Sequence, residues 1–549
     1  MTTKPWGKTL LVCAFFAQPI STHAAANTEL LELKNTILNL VDELVNQGVL
    51  TEDSATTIKQ QAALKAREQV ARQAIAEGRA ENLPDTQAGR QQVVRVPYVP
   101  EFVREEIRAE VREELRADVT ADVVATARDE GWGTPDALPD WVNRLKFFGD
   151  ARVMYQANRF DNSNDRQIPN YLAINNAGGL TQAGTEAFLN ATEDQDWFRM
   201  RARLGVKAAL GSGYSAVIRL ASGNDVSPIS RNRTLGNYFA SYDVVLDQVY
   251  LEWDSKDLWL ENELQVQGGR IPNPFFHTSM MWDRDLVFDG VSTNYVGPFW
   301  GEGNRFFTNA GVFTLLPDVA NEPLGSTDGK WLWSIQGGLD LEMTEESRVK
   351  FAVGYYQFEN VVGQLNDPFS TTKDWTAPEF LTKGNSVFDI RNDGQQTNRF
   401  ALASEFELVN VIAEFAYTGF APFDVVLTAD YTQNIGFDDG DVSARVGAPV
   451  SEKNEAWLAQ FEIGWRDIAQ FGRWSVFGGY RSIERDAVMD AFTDSDFHLA
   501  GTDTEGWIAG IRFGVATNSW LRARVLSADE IDGARNSIDV IQVDLNGRF

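Results

Sequence analysis

The sequence predicts an all-β transmembrane barrel of about sixteen antiparallel strands, preceded by an α-helical, coiled-coil-like segment. Three observations predict it. The chain ends on Ile541-Gln-Val-Asp-Leu-Asn-Gly-Arg-Phe549, which alternates strictly. Ile541, Val543, Leu545, Gly547 and Phe549 share one face, and Gln542, Asp544, Asn546 and Arg548 the other. Such a strand suits lipid on one side and water on the other. Many segments of the same period precede it, and the chain opens with a stretch that reads as a secretion signal.

Residues 1–26 are that signal. Lys4 and Lys8 supply the charged region, Leu10 to Ala17 the apolar run, and Thr22-His-Ala24 and Ala24-Ala-Ala26 small-residue cleavage sites. The run is far short of the roughly 20 apolar residues that span a bilayer. No later stretch reaches that length, which excludes a helical membrane protein. The only cysteine, Cys13, lies in the leader. The mature chain then has no disulfide, which fits the periplasm and excludes a small disulfide scaffold. Cys13 lacks the small residues of a lipoprotein cleavage site after it, so no lipid anchor is expected.

Residues 27–82 read as a helical hairpin or short coiled coil. Leu30, Leu33, Ile37, Leu40 and Leu44 form a heptad seam. Gly48 ends the run, and Thr51 caps a second helix through Ile58, Leu64 and Ala71. Packing of the hairpin on itself and oligomerisation both remain open. Residues 83–100, from Pro84 to Pro100, form a linker. Residues 101–144 hold a charged helix, Glu101 to about Arg128, and a connector broken by Gly131, Gly133, Pro135 and Pro139. In the helix Val103, Ile107, Val111, Leu115, Val119 and Val123 recur every fourth residue, a row that winds slowly around the axis. Glu105 stands at pairing distance from Arg108 and Arg112. So narrow a stripe on so charged a helix calls for partner helices, and a homotrimeric stalk is the expected solution.

From Leu145 the period becomes two, and residues 145–549 form the barrel. In 197–210, Phe198, Met200, Ala202, Leu204, Val206, Ala208 and Leu210 face one way, and Arg199, Arg201, Arg203 and Lys207 the other. A soluble sandwich also alternates. Here the polar face carries a row of arginines, and aromatics flank the strands (Trp197, Trp253, Trp331, Trp457, Trp465, Trp474, Trp507, Trp520) as in the girdles around a lipid band. Strands are expected near 145–159, 197–210, 214–221, 244–253, 262–271, 286–295, 305–315, 331–343, 348–358, 398–417, 424–434, 455–466, 474–484, 506–516, 519–528 and 537–549. The segment 398–417 has room for a bend or an extra hairpin. Connections alternate short (such as 211–213 and 517–518) and long (such as 160–196 and 359–397), the rhythm of periplasmic turns and outer loops. This pattern places the barrel in the outer membrane, with both its ends in the periplasm beside the helices.

The formal net charge is −29. So acidic a chain argues against nucleic acid as a partner.

Three stretches carry a resemblance: Tyr98-Val-Pro-Glu-Phe-Val-Arg-Glu-Glu-Ile; Trp132-Gly-Thr-Pro-Asp-Ala-Leu-Pro-Asp-Trp; and Gly269-Arg-Ile-Pro-Asn-Pro-Phe-Phe through Trp282-Asp-Arg-Asp-Leu-Val-Phe-Asp-Gly290. With them the chain resembles the Gram-negative putative porins that carry an N-terminal helical region. The resemblance implies an outer-membrane barrel, passive passage of solutes, and no catalytic residues.

Alternation assigns the inward faces. Basic residues Arg152, Arg199, Arg201, Arg203, Lys207 and Arg219 line the first strands, and Arg481, Arg512, Arg522, Arg524 and Arg548 the last. In a closed barrel these groups adjoin, making one basic wall. The middle strands carry Glu252, Asp340, Glu342, Glu405, Glu407, Asp430 and Glu462 on the same face, with Lys350 as an exception. The expectation is a pore with one positive and one negative wall, a device that sets selectivity in channels. The bland alternative is arginine–carboxylate pairing across a solid interior. About sixteen strands leave room for an aqueous channel, which favours the open pore. The loop from Pro272 to Asp285 is the candidate constriction. Phe275, Phe276, Met280, Met281 and Trp282 are too apolar for a solvated outer loop. They call for inward folding, with Asp283, Arg284 and Asp285 facing the passage, or for packing at a subunit interface.

Enzyme chemistry has little material. The mature chain keeps only His277 and His498, and no serine sits in a nucleophile turn beside a histidine. Asp161-Asn-Ser-Asn-Asp165 lacks the glycine and glutamate of a calcium loop; no metal or other cofactor is expected. The expected partners are outer-membrane lipid, sister subunits of a homotrimer, and the barrel assembly machinery acting on the strand that ends at Phe549. The reading is a porin that passes ions and small hydrophilic solutes. The alternative is an envelope tether, with the barrel as anchor and the helices bound to peptidoglycan or a periplasmic partner.

Overall fold

The computed structural model describes residues 142–549, apart from 224–225, 259–261, 322–324, 393 and 395–396. The expected leader, helical hairpin, linker and charged helix lie outside the described residues. Only the turn Val142–Arg144, at the end of the connector, falls within them.

Sixteen strands follow in order: β1 Leu145–Phe160, β2 Gln195–Gly211, β3 Tyr214–Ser222, β4 Val244–Asp254, β5 Glu263–Pro272, β6 Val287–Pro298, β7 Arg305–Leu316, β8 Lys330–Thr344, β9 Ser347–Glu359, β10 Phe406–Phe420, β11 Phe423–Asn434, β12 Glu455–Gly464, β13 Trp474–Ile483, β14 Thr504–Ala516, β15 Ser519–Glu530 and β16 Ile538–Arg548. Each pairs antiparallel with its sequence neighbours. β1 pairs with β16 from Asp150↔Arg548 to Phe160↔Ile538, which closes the barrel on itself. A two-residue strand, Arg233–Thr234, adds to β2.

The period-two pattern explains which face is which. In β2, Phe198 and Leu204 are exposed outward, while Arg199, Arg201 and Arg203 point inward. In β16, Ile541, Val543 and Leu545 are outward and exposed, whereas Gln542 and Asp544 are buried inside. The outer surface carries paired aromatics, among them Phe423 with Trp465 at 4.6 Å and Trp457 stacked on Tyr480 at 5.5 Å. Trp197 and Trp520 leave the expected girdle. They share the inward phase of Arg199 and Arg522, and lie beneath Arg199 at 5.8 Å and Arg548 at 6.0 Å. The arginines recruit them through cation–π attraction.

The seam shows how tightly closure is specified. Gly149 and Phe549 exchange both backbone hydrogen bonds at 3.1 Å. A Cβ on Gly149 would stand 2.4 Å from the Arg203 carbonyl oxygen and 2.6 Å from Phe549 Cζ. Only glycine leaves room for the terminal ring.

The expected strand 398–417 begins instead at Phe406. Phe400–Leu402 pairs with Val387–Asp389 in a separate two-stranded sheet among the outer loops, where Ala401 and Leu402 are buried. The chain then bends at Ser404, whose hydroxyl donates to the Glu405 carbonyl at 2.8 Å. The apolar alternation ran through the bend because both segments bury apolar side chains.

Candidate functional site

The inside of the barrel is built from polar wall residues and loops that fold inward. The loop 273–286 crosses the lumen. Phe276 is gripped by Gln336 of β8, which donates to its carbonyl and accepts from its amide, both at 2.8 Å. Thr278 Oγ1 donates to Asp430 of β11 at 2.5 Å. Asp285 accepts from Arg201 of β2 at 2.8 Å and from the Arg231 amide at 3.2 Å. The loop is thus tied to walls on different sides. Its apolar residues explain why it leaves solvent: Phe275, Met280, Met281, Trp282 and Leu286 are buried with Phe288, Phe313, Tyr356 and Leu408. Rings meet edge-on, Phe275 with Tyr356 at 5.1 Å and Trp282 with Phe288 at 5.2 Å. Of the two expectations for this loop, inward folding describes it.

A second inward loop, 484–503, carries no expectation from the sequence. Its Phe492 carbonyl accepts from the Asp283 amide at 2.8 Å, and the Ser495 amide donates to Asp283 Oδ2 at 2.8 Å. Asp494 pairs with Arg481 at 2.9 Å, and Asp496 pairs with Arg524. The signal existed in sequence: Val488-Met-Asp-Ala-Phe492 is as apolar as the first loop.

The basic residues adjoin, but carboxylates stand among them. Asp150 of β1 bridges Arg201 at 2.9 Å and Arg203 at 2.6 Å. Asp247 holds Arg219 at 2.6 Å and Arg231 at 2.7 Å. Asp544 holds Arg522 at 2.7 Å, Glu462 holds Arg512 at 2.5 Å, and Glu252 holds Lys207 at 2.5 Å. The simple picture of one positive and one negative wall therefore needs correction. Buried charges require partners, and the polar phase of β1, β4 and β16 supplies them through Asp150, Asp247 and Asp544. Arg152, Arg199 and Arg284 make no ion pair with any described residue. Arg152 instead donates to Asn232 and Arg199 to Gln156. Arg548 pairs at the rim with Asp467 at 3.1 Å.

The acidic set divides. Glu252, Asp340, Glu342, Asp430 and Glu462 have the inward phase. Asp340 pairs with Arg348 at 2.5 Å. Asp430 accepts from Thr278 and Asn410, with no cation paired to it among the described residues. Glu405 precedes β10 and is exposed, while Glu407 shares the outer phase with Phe415. Both correct the inward assignment. The start of β10 lies after the bend at Ser404, and Phe406 and Leu408 take the inward positions.

Between the loop 273–286 and the arginine side lies a cavity of about 460 Å³. Arg152, Arg201, Arg203, Arg284, Arg481, Arg512, Arg522 and Arg524 line it, against Asp283, Asp285, Glu462, Asp494 and Asp496. Arg284 is the exposed member of the loop trio; Asp283 and Asp285 are buried. Burial, Asp494 and Asp285 push the Asp283 carboxyl well above the usual range. Burial opposes ionisation of Asp285, but Arg201, Arg203 and Arg152 outweigh it and hold its carboxyl low. Burial likewise opposes ionisation of Asp496, and Arg524, Arg152 and Arg199 overcome it. Eight arginines against five carboxylates leave the lining a positive excess whose free end is Arg284. His277, on the far side of the loop, is held down to about 4 by burial and by Arg284, and stays neutral.

The family model for putative porins matches residues 34–549. No curated protein matches the sequence. Among solved structures, the chain is similar to the high-pH structure of Pseudomonas putida OprB at 10% identity, over 76% of this chain and 97% of that one, with a TM-score of 0.43. It is similar to Salmonella typhi OmpF in complex with daunomycin at 10% identity, over 74% and 97%, with a TM-score of 0.38. The anion-selective porin from Comamonas acidovorans gives 9% identity over 74% and 99%, with a TM-score of 0.36. On the match across residues 34–549, the chain belongs to the putative porin family.

Proposed function

We propose that this outer-membrane barrel passes ions and small hydrophilic solutes by passive diffusion, and that the arginine-lined cavity beside the loop 273–286 is the narrow part of the path. The observation that carries the reading is Arg284, a cation exposed inside the barrel on a loop fastened to several walls. A fixed loop presenting a charge to a wet cavity is what a selective constriction requires. The positive lining favours small anions at this point. The family points to a channel rather than a catalyst.

The reading includes a homotrimer in outer-membrane lipid, delivered by the barrel assembly machinery through the strand ending at Phe549. The helical segments before residue 142 would lie in the periplasm, within reach of peptidoglycan or a periplasmic partner. The observation favouring the tether reading is the amount of loop packed inside the barrel. Swelling of liposomes that hold the purified protein separates the two. A monosaccharide such as arabinose should enter and swell them faster than a tetrasaccharide such as stachyose. No swelling from protein that still migrates as a folded barrel would favour a closed anchor.

A further inference from the structure

A second cavity, of about 920 Å³, lies at the long-loop mouth, apart from the arginine-lined one. Ligand clefts span roughly 300–1,000 Å³, mostly apolar with a few converging polar groups. This one fits that description. Trp375, Phe380 and Phe492 supply aromatic rings, and Leu402 an aliphatic floor. The charged groups are mostly cations, Arg231, Arg270, Lys330 and Arg399 against Glu379, and two of them, Lys330 and Arg399, form no ion pair with a described residue.

Lys330 decides what the cavity is for. It is the first residue of β8 and is only 5% exposed. Its Nζ donates to the Thr376 carbonyl at 2.7 Å and stands 5.9 Å from the centre of the Trp375 ring. Arg399 donates from Nε to the Asp374 carbonyl at 3.1 Å. Glu379, also on the lining, is exposed and stands beyond ion-pair distance. A buried ammonium without a carboxylate is costly to keep charged. A second cation on the same cavity raises that cost. Both are relieved at once if the carboxylate arrives with a ligand. The apolar walls require that ligand to carry an apolar body.

We propose that this cavity binds an aromatic carboxylate, its carboxylate between Lys330 and Arg399 and its ring against Trp375, Phe380 and Phe492. The proposal rests on the channel reading and deepens it: the mouth selects a class of organic anion before the arginine-lined passage. The competing account is that the Thr376 carbonyl and the Trp375 ring already satisfy Lys330 and the cavity holds only water.

Isothermal titration calorimetry of the full-length detergent-purified protein tests this without requiring conductance. Phenylacetate is the probe, with acetate and phenylacetamide as controls for the ring and the charge. Phenylacetate should bind saturably, and both controls about tenfold or more weaker. Lys330→Met should weaken phenylacetate by a similar factor, and Lys330→Arg should restore part of it. If Lys330→Met fails to fold, judged by its heat-dependent gel migration, Arg399→Gln serves in its place with the same expectation. Equal binding of acetate and phenylacetate, no binding at all, or binding indifferent to the substitutions would overturn the proposal. Binding by protein that proves non-conducting would sink the channel reading and leave the site standing. Conductance without binding would do the reverse.

Discussion

At the residue scale, the inward arginines differ in what they are free to do. Arg201 and Arg203 are committed to Asp150 and Asp285. Removing either takes one of two cations from both carboxylates, which costs less than the ~3–5 kcal/mol of a buried charge left wholly unpaired. Such variants report on folding as much as on permeation. Arg284 forms no ion pair with a described residue, so Arg284→Gln isolates the field in the lumen. Its reversal potential in a salt gradient should move toward cations, with the anion preference falling about twofold or more. Its resistance to heat should stay as in the parent. An unchanged reversal potential would place the path elsewhere in the barrel.

The loop 484–503 makes a different prediction. Asp490 accepts from the Thr382 amide at 3.0 Å, and its other oxygen, in a buried place, has no partner among the described residues. Burial pushes its carboxyl up to about 7, with the Thr382 bonds pulling the other way. The folded state therefore holds this proton more tightly than an unfolded chain, where the pKa is about 3.9. The stabilisation is complete below about pH 4 and is lost as pH rises through about 7, by roughly 4 kcal/mol at most. Hydrogen exchange at Thr382 to Ser386 should show more protection at pH 5.5 than at pH 8, after correction for intrinsic rates. Asp490→Asn should flatten that difference. Equal pH dependence in the variant would remove Asp490 as its source.

At the element scale, the loop 273–286 is a strut rather than a flexible lid. Trp282 is buried against Phe288, Tyr356, Phe358 and Phe492. Trp282→Ala should cost about 3–5 kcal/mol of local packing. Because the strand ladder closes without the loop, the expected outcome is a folded protein with faster exchange in 273–286 and noisier, larger openings. Unchanged exchange would mean the polar ties alone hold it.

The strands were legible because each obeys one rule along its length. Phe198 to Leu210 needs only the knowledge that lipid lies on one side. The loops followed no single period. The inward fate of Phe275 to Trp282 showed as misplaced apolar residues, but its target did not, because Gln336 and Asp430 lie 60 and 152 residues away from their loop partners. Charge pairing was the least legible. Alternation puts Arg201 and Arg203 on one face, yet only the register, Asp150↔Arg203, reveals which carboxylate stands beside them. Glu407 was misplaced for the opposite reason: the bend at Ser404 reset the phase.

At the scale of the whole molecule, closure depends on a seam with almost no slack. Gly149→Val would force its side chain into the Phe549 ring and the Arg203 carbonyl. It should lower the temperature at which the folded barrel is lost on a gel, or reduce the yield of folded protein. Normal yield and heat resistance would mean the terminal ring has another position. The acidic surface and positive cavity act in series. On the proposed reading, the chain's net charge of −29 draws cations toward the barrel, while the arginine-lined cavity selects anions within it. Salt screens the surface field first, so anion preference should grow with ionic strength.

The most direct test of the account is single-channel recording of the purified protein in a planar bilayer under a potassium chloride gradient. The account predicts stable openings, grouped in threes, with a reversal potential on the anion side that collapses in Arg284→Gln. Silence from protein shown to be folded would contradict it, leaving the barrel an anchor and its packed loops a plug.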